Sequence, residues 1–393
     1  MTGLPVPVIA VSGTPAECGA GYGAAATERI GANLELYRRR FRDQAGLDPG
    51  GVRAAGRRFR DVTLALHPRI AAMLDGVAEG AGEPVADVYA LNARTELLYD
   101  AAVTAGRARA LRTGERPEPP DGRDGGCTAI GLLGTHTASG HLLLAQNWDW
   151  HPDQRDAMVL LASRDERGHG VLTLAEAGML AKAGLNSAGL GVCVNMLGCD
   201  RDGLPADGGT PGLPYHVLLR AALEADSLSW ALRAVCRAPR NASINLLLGQ
   251  AGTGPAEADP AGGEMIDIEL VPGDAGWLHP VDGVLTHANH LETGLPVYDT
   301  IKDFGGSSLF RSARARRLIS AAAQLGKVTE DDLGAVLRDH ASFPMSICRH
   351  VDPREAPAER SESVYSVMLD LEAGRFGIAA GPPCGHPYTW IDL

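Results

Sequence analysis

The sequence predicts an α+β protein in which strands come in blocks and helices cover the sheets, rather than a βαβ series. Three observations carry this. The first hundred residues are rich in Ala, Glu and Arg, with apolar residues three and four apart. A strand-rich block begins abruptly at residue 127. Helical patterns then come in pairs between further strands.

The N-terminal helical segments read as 15–44, 50–80 and 84–103. The stretch 104–126, TAGRARALRTGERPEPPDGRDGG, is crowded with Gly, Pro, Arg and Asp and lacks apolar periodicity, which predicts an exposed linker. Short apolar runs bounded by Gly, Asp or Ser then predict strands at 128–134, 141–150, 157–163, 170–178 and 184–197. Helices follow at 214–225 and 227–238, the second with Ser227 as its N-cap. Strands are expected at 242–250, 264–271 and 283–288. Helices return at 307–325 and 329–340, the latter opened by Thr329 with Asp332 three residues on. A strand pair at 363–371 and 375–381 closes the series. There is no G-x-G-x-x-G, no Walker loop and no repeat of 20–50 residues.

Composition narrows the function. The 393 residues are 45% hydrophobic and 21% charged, enough for a sizeable core. A net charge of −12 and a pI near 5.5 repel phosphate backbones, so nucleic acid is not an expected partner. The Arg-rich stretch from Arg311 to Arg317 reads as a solvated helix face. No run is long and apolar enough for a membrane span, and the start, MTGLPVPVIAVSG, does not read as a signal peptide. A reducing cytoplasm is the expected location. The seven cysteines are odd in number and widely spaced, without a C-x-x-C pair, which argues against a disulfide framework or a zinc site.

Cys127 differs from the other six. It stands where the linker meets a buried strand and follows Gly125 and Gly126. Glycines admit backbone conformations that expose a carbonyl to attack. Attack of the Cys127 thiolate on the Gly126 carbonyl gives a thioester, and water then releases a chain that begins at Cys127. Its new α-amine, with a pKa of roughly 7.7–8.0, can serve as general base for the thiol. A turn entering a strand explains the same three residues without chemistry.

The surroundings add to this. GTPAECGAGYG (13–23), LNARTELLY (91–99), GGCTAIG, QNWDW, LAEAGMLAKAGLNSAGLGVCVN, GLPYHVLLRAALE, LTHANH and SFPMSICR occur in an order that resembles the isopenicillin-N acyltransferase family, cysteine members of the Ntn-hydrolase superfamily. The resemblance covers most of the chain. It implies a four-layer αββα sandwich made as a precursor and cut at Gly126–Cys127. Residues 1–126 would form a helical first subunit and 127–393 the core of the second, the two remaining one intertwined unit.

By the same resemblance Cys127 is the nucleophile and Asp149 orients it. Asn289 lends its side-chain amide to the oxyanion hole, and Arg360 is the arginine of the site. Trp150 and His151 are candidates to line an acyl pocket. Glu176, Gly178, Gly184, Asn186, Gly189 and Gly191 are expected to set turns and strand packing, and His287 and His290 invite comparison with a Cys–His dyad.

The implied activity is cleavage or transfer at a C–N bond through a thioester acyl-enzyme. Its partners are a small-molecule amide or acyl donor and an amine. No metal or organic cofactor is expected, and a coenzyme A thioester is admitted as an acyl-donor substrate. The alternatives are a papain-like Cys–His thiol hydrolase without self-cleavage and a processing-dead binding scaffold.

Overall fold

A computed structural model describes residues 4, 6–113, 126–205, 208–252 and 262–393; of 102, 105–113 and 304 it describes the backbone alone. Strand β1 (Val8–Gly13) leads into α1 (Pro15–Ala25), α2 (Thr27–Ala45), α3 (Pro49–Leu66), α4 (Pro68–Ala81), α5 (Val85–Asn92) and α6 (Arg94–Thr113). Their ends follow from local chemistry. Thr14 and Glu17 form a reciprocal capping box on α1, and Asp48 caps α3. Proline opens α1, α3 and α4, while Gly46 and Gly82 close α2 and α4 in the left-handed region.

Beyond Gly126 come β2 (Cys127–Leu132), β3 (Leu143–Trp150), β4 (Met158–Asp165), β5 (Gly170–Glu176), β6 (Gly184–Asn186) and β7 (Leu190–Met196). The pair α7 (Tyr215–Leu223) and α8 (Leu228–Cys236) precedes β8 (Ile244–Gln250), β9 (Glu264–Val271), β10 (Asp274–Leu278) and β11 (Val284–His287). Then α9 (Thr300–Phe304), α10 (Ser308–Leu325) and α11 (Glu330–Leu337) lead to β12 (Glu362–Asp370), β13 (Arg375–Ala379) and β14 (Thr389–Asp392).

The strands make two sheets, ordered β1-β4-β5-β6-β7-β8-β9-β10 and β11-β2-β3-β12-β13-β14. All pairings between these strands are antiparallel except β1 with β4. Side-chain alternation along each strand divides the core into three layers. In β4, Val159 and Leu161 join the helix-side core while Met158 and Leu160 face the other sheet. In β2, Ile130 and Leu132 face α10 and α11, whereas Cys127 and Ala129 point between the sheets. The result is the four-layer αββα sandwich, with α1–α8 outside the larger sheet and α10–α11 outside the smaller.

Most expected elements are present, and the differences have physical reasons. Helix α6 runs on to Thr113, ten residues past its expected end, because 104–113 is rich in Ala, Arg and Leu, all good helix formers. Residues 114–125 of the expected linker, Gly125 included, lie outside the described residues. The run 184–197 is two strands: Asn186 Oδ1 accepts from the N–H groups of Ala188 and Leu190, and Gly189 sits at φ +75°. Thr329 and Asp332 form their capping box, but Ser227, at the N-cap of α8, makes no side-chain capping bond. The strands not foreseen, β1, β10 and β14, all sit at sheet edges, where periodicity is weakest. No helix among the described residues is long and apolar enough to cross a membrane.

Candidate active site

Cys127 opens β2 and its side chain enters the inter-sheet layer, where it is 4% exposed. Antiparallel pairing sets Cys127 opposite Trp148 of β3, and Asp149 opposite Ser363 of β12. A thiol, a carboxylate and a hydroxyl are thereby fixed on three adjacent strands. Rigid strands position such groups more tightly than loops do.

The peptide bond between Gly126 and Cys127 is held on both sides. The Asp149 N–H donates to the Gly126 carbonyl at 2.5 Å, and the Cys127 N–H donates to Asn289 Oδ1 at 2.8 Å. There is no room for a side chain at 126, since a Cβ would lie 2.8 Å from the Asp149 Cβ. Asn289, just past β11, accepts a second bond from Arg311 at 2.7 Å, and its Nδ2 donates to the Met196 carbonyl at 2.9 Å. Two donors converging on one oxygen fix the amide orientation. Burial and the nearby Asp149 push the Cys127 thiol pKa up, so in the uncut chain it is neutral.

Asp149 is fully buried. Its Oδ1 accepts from the Ser363 hydroxyl at 2.7 Å, and its Oδ2 faces Arg349 Nε at 3.4 Å. Arg349 follows Cys348 in the loop after α11 and also donates to the hydroxyls of Ser307 and Ser361. Arg360, by contrast, is not brought to the cluster. It is half-exposed and bonds the carbonyls of Glu355 and Pro353. The buried arginine facing Asp149 is Arg349.

A second correction concerns Arg311, read from sequence as part of a solvated face. It is fully buried, donating to the Cys127 carbonyl, to Thr128 Oγ1 at 2.9 Å and to Asn289. Of the other arginines in that stretch, Arg317 is exposed and Arg314 pairs with Asp339, while Ser312 and Ala315 of the same stretch are buried.

The pocket over Cys127 has aromatic walls and a cationic side. Trp148 and Trp150 stack at 5.8 Å, and Trp150, His151, Leu98, Tyr99, Val194 and Tyr215 line the space. Lys182 Nζ lies 3.8 Å from the Trp148 ring centroid, and the Arg94 guanidinium lies 4.6 Å from that of Trp150. Both cations pair with Glu176, at 2.8 and 2.9 Å, and Tyr37 donates to its other oxygen at 2.6 Å. Glu176 is thus the hub of a buried ion cluster, and its carbonyl also accepts from the Met179 N–H across a turn. Burial alone would raise its pKa, but the two cations hold the carboxyl well below the usual range. Burial lowers Lys182 to about 8, with Glu176 opposing the shift. Gly178 and Gly189, at φ +92° and +75°, do set turns as expected.

The two candidate histidines are engaged elsewhere. His287 Nε2 lies 2.9 Å from Glu269, and His290 Nδ1 lies 2.9 Å from Ser308 Oγ. Sequence reasoning missed Arg349, Arg311, Arg94, Lys182 and the ion-pairing role of Glu176. For Arg349 a signal was present, because it ends the matched segment SFPMSICR.

The family described as acyl-coenzyme A:6-aminopenicillanic acid acyl-transferase matches residues 135–383, a span that begins just past Cys127 and includes Asp149, Asn289 and Arg349. The chain is 25% identical over 386 residues to the acyl-coenzyme A:6-aminopenicillanic-acid-acyltransferase 40 kDa form of Emericella nidulans, covering 98% of this chain and 95% of that protein. Two solved structures are each 14% identical to the chain. A mutant of conjugated bile acid hydrolase from Clostridium perfringens has a TM-score of 0.45, covering 67% of this chain and 92% of that one. Penicillin V acylase from Agrobacterium tumefaciens has a TM-score of 0.42, covering 68% and 86%. Likeness at that level says nothing about chemistry.

Proposed function

The chain belongs to the acyl-coenzyme A:6-aminopenicillanic acid acyl-transferase family, and on that premise we propose that it cuts itself at Gly126–Cys127 and uses the new N-terminal Cys127 as its nucleophile. It is an enzyme of the acyltransferase and amidohydrolase kind. The finer reading is a thioester acyl-enzyme formed from a small-molecule amide or from an acyl thioester such as a coenzyme A ester. Water or an amine resolves it.

The observation that carries the proposal is the grip on one peptide bond, with Asp149 N–H on the carbonyl and Asn289 Oδ1 on the nitrogen. A donor at 2.5 Å stabilises negative charge as it develops on that carbonyl oxygen. Sγ attacks the Gly126 carbonyl carbon, the C–N bond breaks, and the thiol proton ends on the Cys127 nitrogen. Hydrolysis of the resulting thioester leaves a Gly126 carboxylate, a free thiol and an α-amine.

Cleavage also supplies what the uncut site lacks. The thiol is buried and neutral, neither candidate histidine is free to act on it, and a peptide nitrogen is not a base. An α-amine within the same residue is one. In turnover it takes the thiol proton and passes it to the leaving amine, while Asn289 Oδ1 holds it in place and Asp149 stabilises its charged form. Asn289 Nδ2 spends one hydrogen on the Met196 carbonyl and has a second to offer a substrate oxyanion.

Aromatic walls fit an acyl group. Arg94 and Lys182 against the single carboxylate of Glu176 leave a net positive flank, which suits a substrate carrying a carboxylate or phosphate. A papain-like mechanism needs a histidine on the thiol, and His287 and His290 are both held by other partners.

The test is to incubate the protein with a panel of small acyl amides and acyl thioesters, quench in acid, and map the added mass. An acyl increment on the peptide beginning at Cys127, absent in Cys127→Ala, supports the reading. Acylation elsewhere, or turnover that persists in Cys127→Ala, overturns it.

A further inference from the structure

Four side chains, three from residues 340–350 and one from far along the chain, converge beside the smaller sheet: His340 after α11, Cys348 and His350 on the following loop, and Cys384 between β13 and β14. His350 Nε2 lies 3.1 Å from His340 Nε2, 3.6 Å from Cys348 Sγ and 3.4 Å from Cys384 Sγ. All four donor atoms fall within 4.8 Å of one another. We propose that these two cysteines and two histidines form a zinc site, a feature distinct from the catalytic chemistry around Cys127.

Hydrogen bonding alone does not account for the arrangement. An imidazole nitrogen offers one lone pair or one N–H, yet His350 Nε2 has three close neighbours. Mutual proximity of this kind is the signature of ligands at the corners of a tetrahedron. With Zn–N near 2.05 Å and Zn–S near 2.3 Å, a regular tetrahedron has N···N edges of roughly 3.3 Å and N···S edges of roughly 3.5 Å. The three separations from His350 Nε2 lie within about 0.2 Å of those edges. Two thiolates and two imidazoles are also the donor set that selects zinc over magnesium or calcium.

Four protein ligands leave no open position, so the site is structural. It ties together three segments that are also joined by hydrogen bonds, among them Cys348 N–H to the Asp339 carbonyl and Arg338 Nε to the Pro383 carbonyl. Arg349 lies between two of the ligands in sequence, so the ion anchors the loop that carries this residue to Asp149. The spacing hid this site. The ligands are not a C-x-x-C pair, and Cys384 lies 34 residues beyond His350.

The experiment is elemental analysis of the full chain, produced without a histidine tag in zinc-supplemented medium and purified without chelator. Wild type and Cys127→Ala should each carry about one zinc per chain. In the His340→Gln, Cys384→Ser double variant, altered only at exposed positions, zinc should fall at least about tenfold with the circular dichroism spectrum unchanged. Cobalt(II) exchanged into the wild type should give thiolate-to-metal charge-transfer bands that the double variant lacks. Should that variant fail to fold, loss of the cobalt bands in Cys384→Ser alone decides the matter. Wild-type protein with neither zinc nor cobalt bands, metal content unaffected by the double substitution, or a Cys348–Cys384 disulfide in the non-reduced peptide map would each overturn the proposal.

Discussion

At the scale of single residues, the site rests on charges buried with their partners. Asp149 is stabilised by Ser363 and Arg349, and Asn289 is oriented by two donors on one oxygen. Removing one member of a buried pair strands the other, which is more costly than losing an exposed contact. Replacing Arg349 with Gln is therefore expected to lower kcat/KM by about 10²-fold or more, whereas Arg360→Gln should stay within about twofold. Steady-state kinetics of both variants on one acyl substrate checks this, and equal effects would contradict the placement. Cys127, Asp149 and Asn289 were legible in the sequence because each sits in a distinctive short segment: GGC, QNWDW and THANH. Arg349 was legible only in part: it ends the matched segment SFPMSICR, but a second arginine, Arg360, stands eleven residues on, just before β12, and only the fold decides which one faces inward. Arg311 was hidden for a similar reason. Four arginines in seven residues look like a solvated face, and burial of one of them depends on an acceptor set from β2 and Asn289.

At the scale of elements, the helical layer depends on how closely α1 and α4 approach. A Cβ on Gly19 would lie 2.0 Å from the Met73 carbonyl oxygen, and one on Gly80 would lie 2.1 Å from that of Ala20. Gly23 and Gly76 meet backbone at similar range, so each helix presents two glycines four residues apart to the other. Gly80→Ala gains helix propensity of up to about 1 kcal/mol yet must push the helices apart, for a net destabilisation of about 1–3 kcal/mol. A lower midpoint in chemical denaturation with an unchanged slope is the expected result, and a higher midpoint would contradict the close contact. The elements themselves were readable because apolar period and caps agree along most of the chain. The edge strands β1, β10 and β14 were not, as such strands carry little of the inward pattern that marks a central one.

At the scale of the whole molecule, the two parts proposed to arise by cleavage are built into one another. β1 pairs with β4 of the larger sheet, α1–α6 share a core with α7 and α8, and Arg94, Leu98 and Tyr99 line the same pocket as Cys127. Separation would expose that core, so the parts should stay together in native solution. The α+β class was legible from block order alone. The stacking of the two sheets came from resemblance, because alternation along a strand tells which residues are buried but not what lies on each face. The central claim, that the chain becomes active by placing Cys127 at a new N-terminus, is tested most directly by the intact mass of purified protein under denaturing conditions beside Cys127→Ala. The account predicts two fragments for the wild type, one ending at Gly126 and one beginning at Cys127, and a single uncut chain for the variant. A wild-type chain that remains whole while turning over substrate, or a variant that is still cut at this bond, would contradict it.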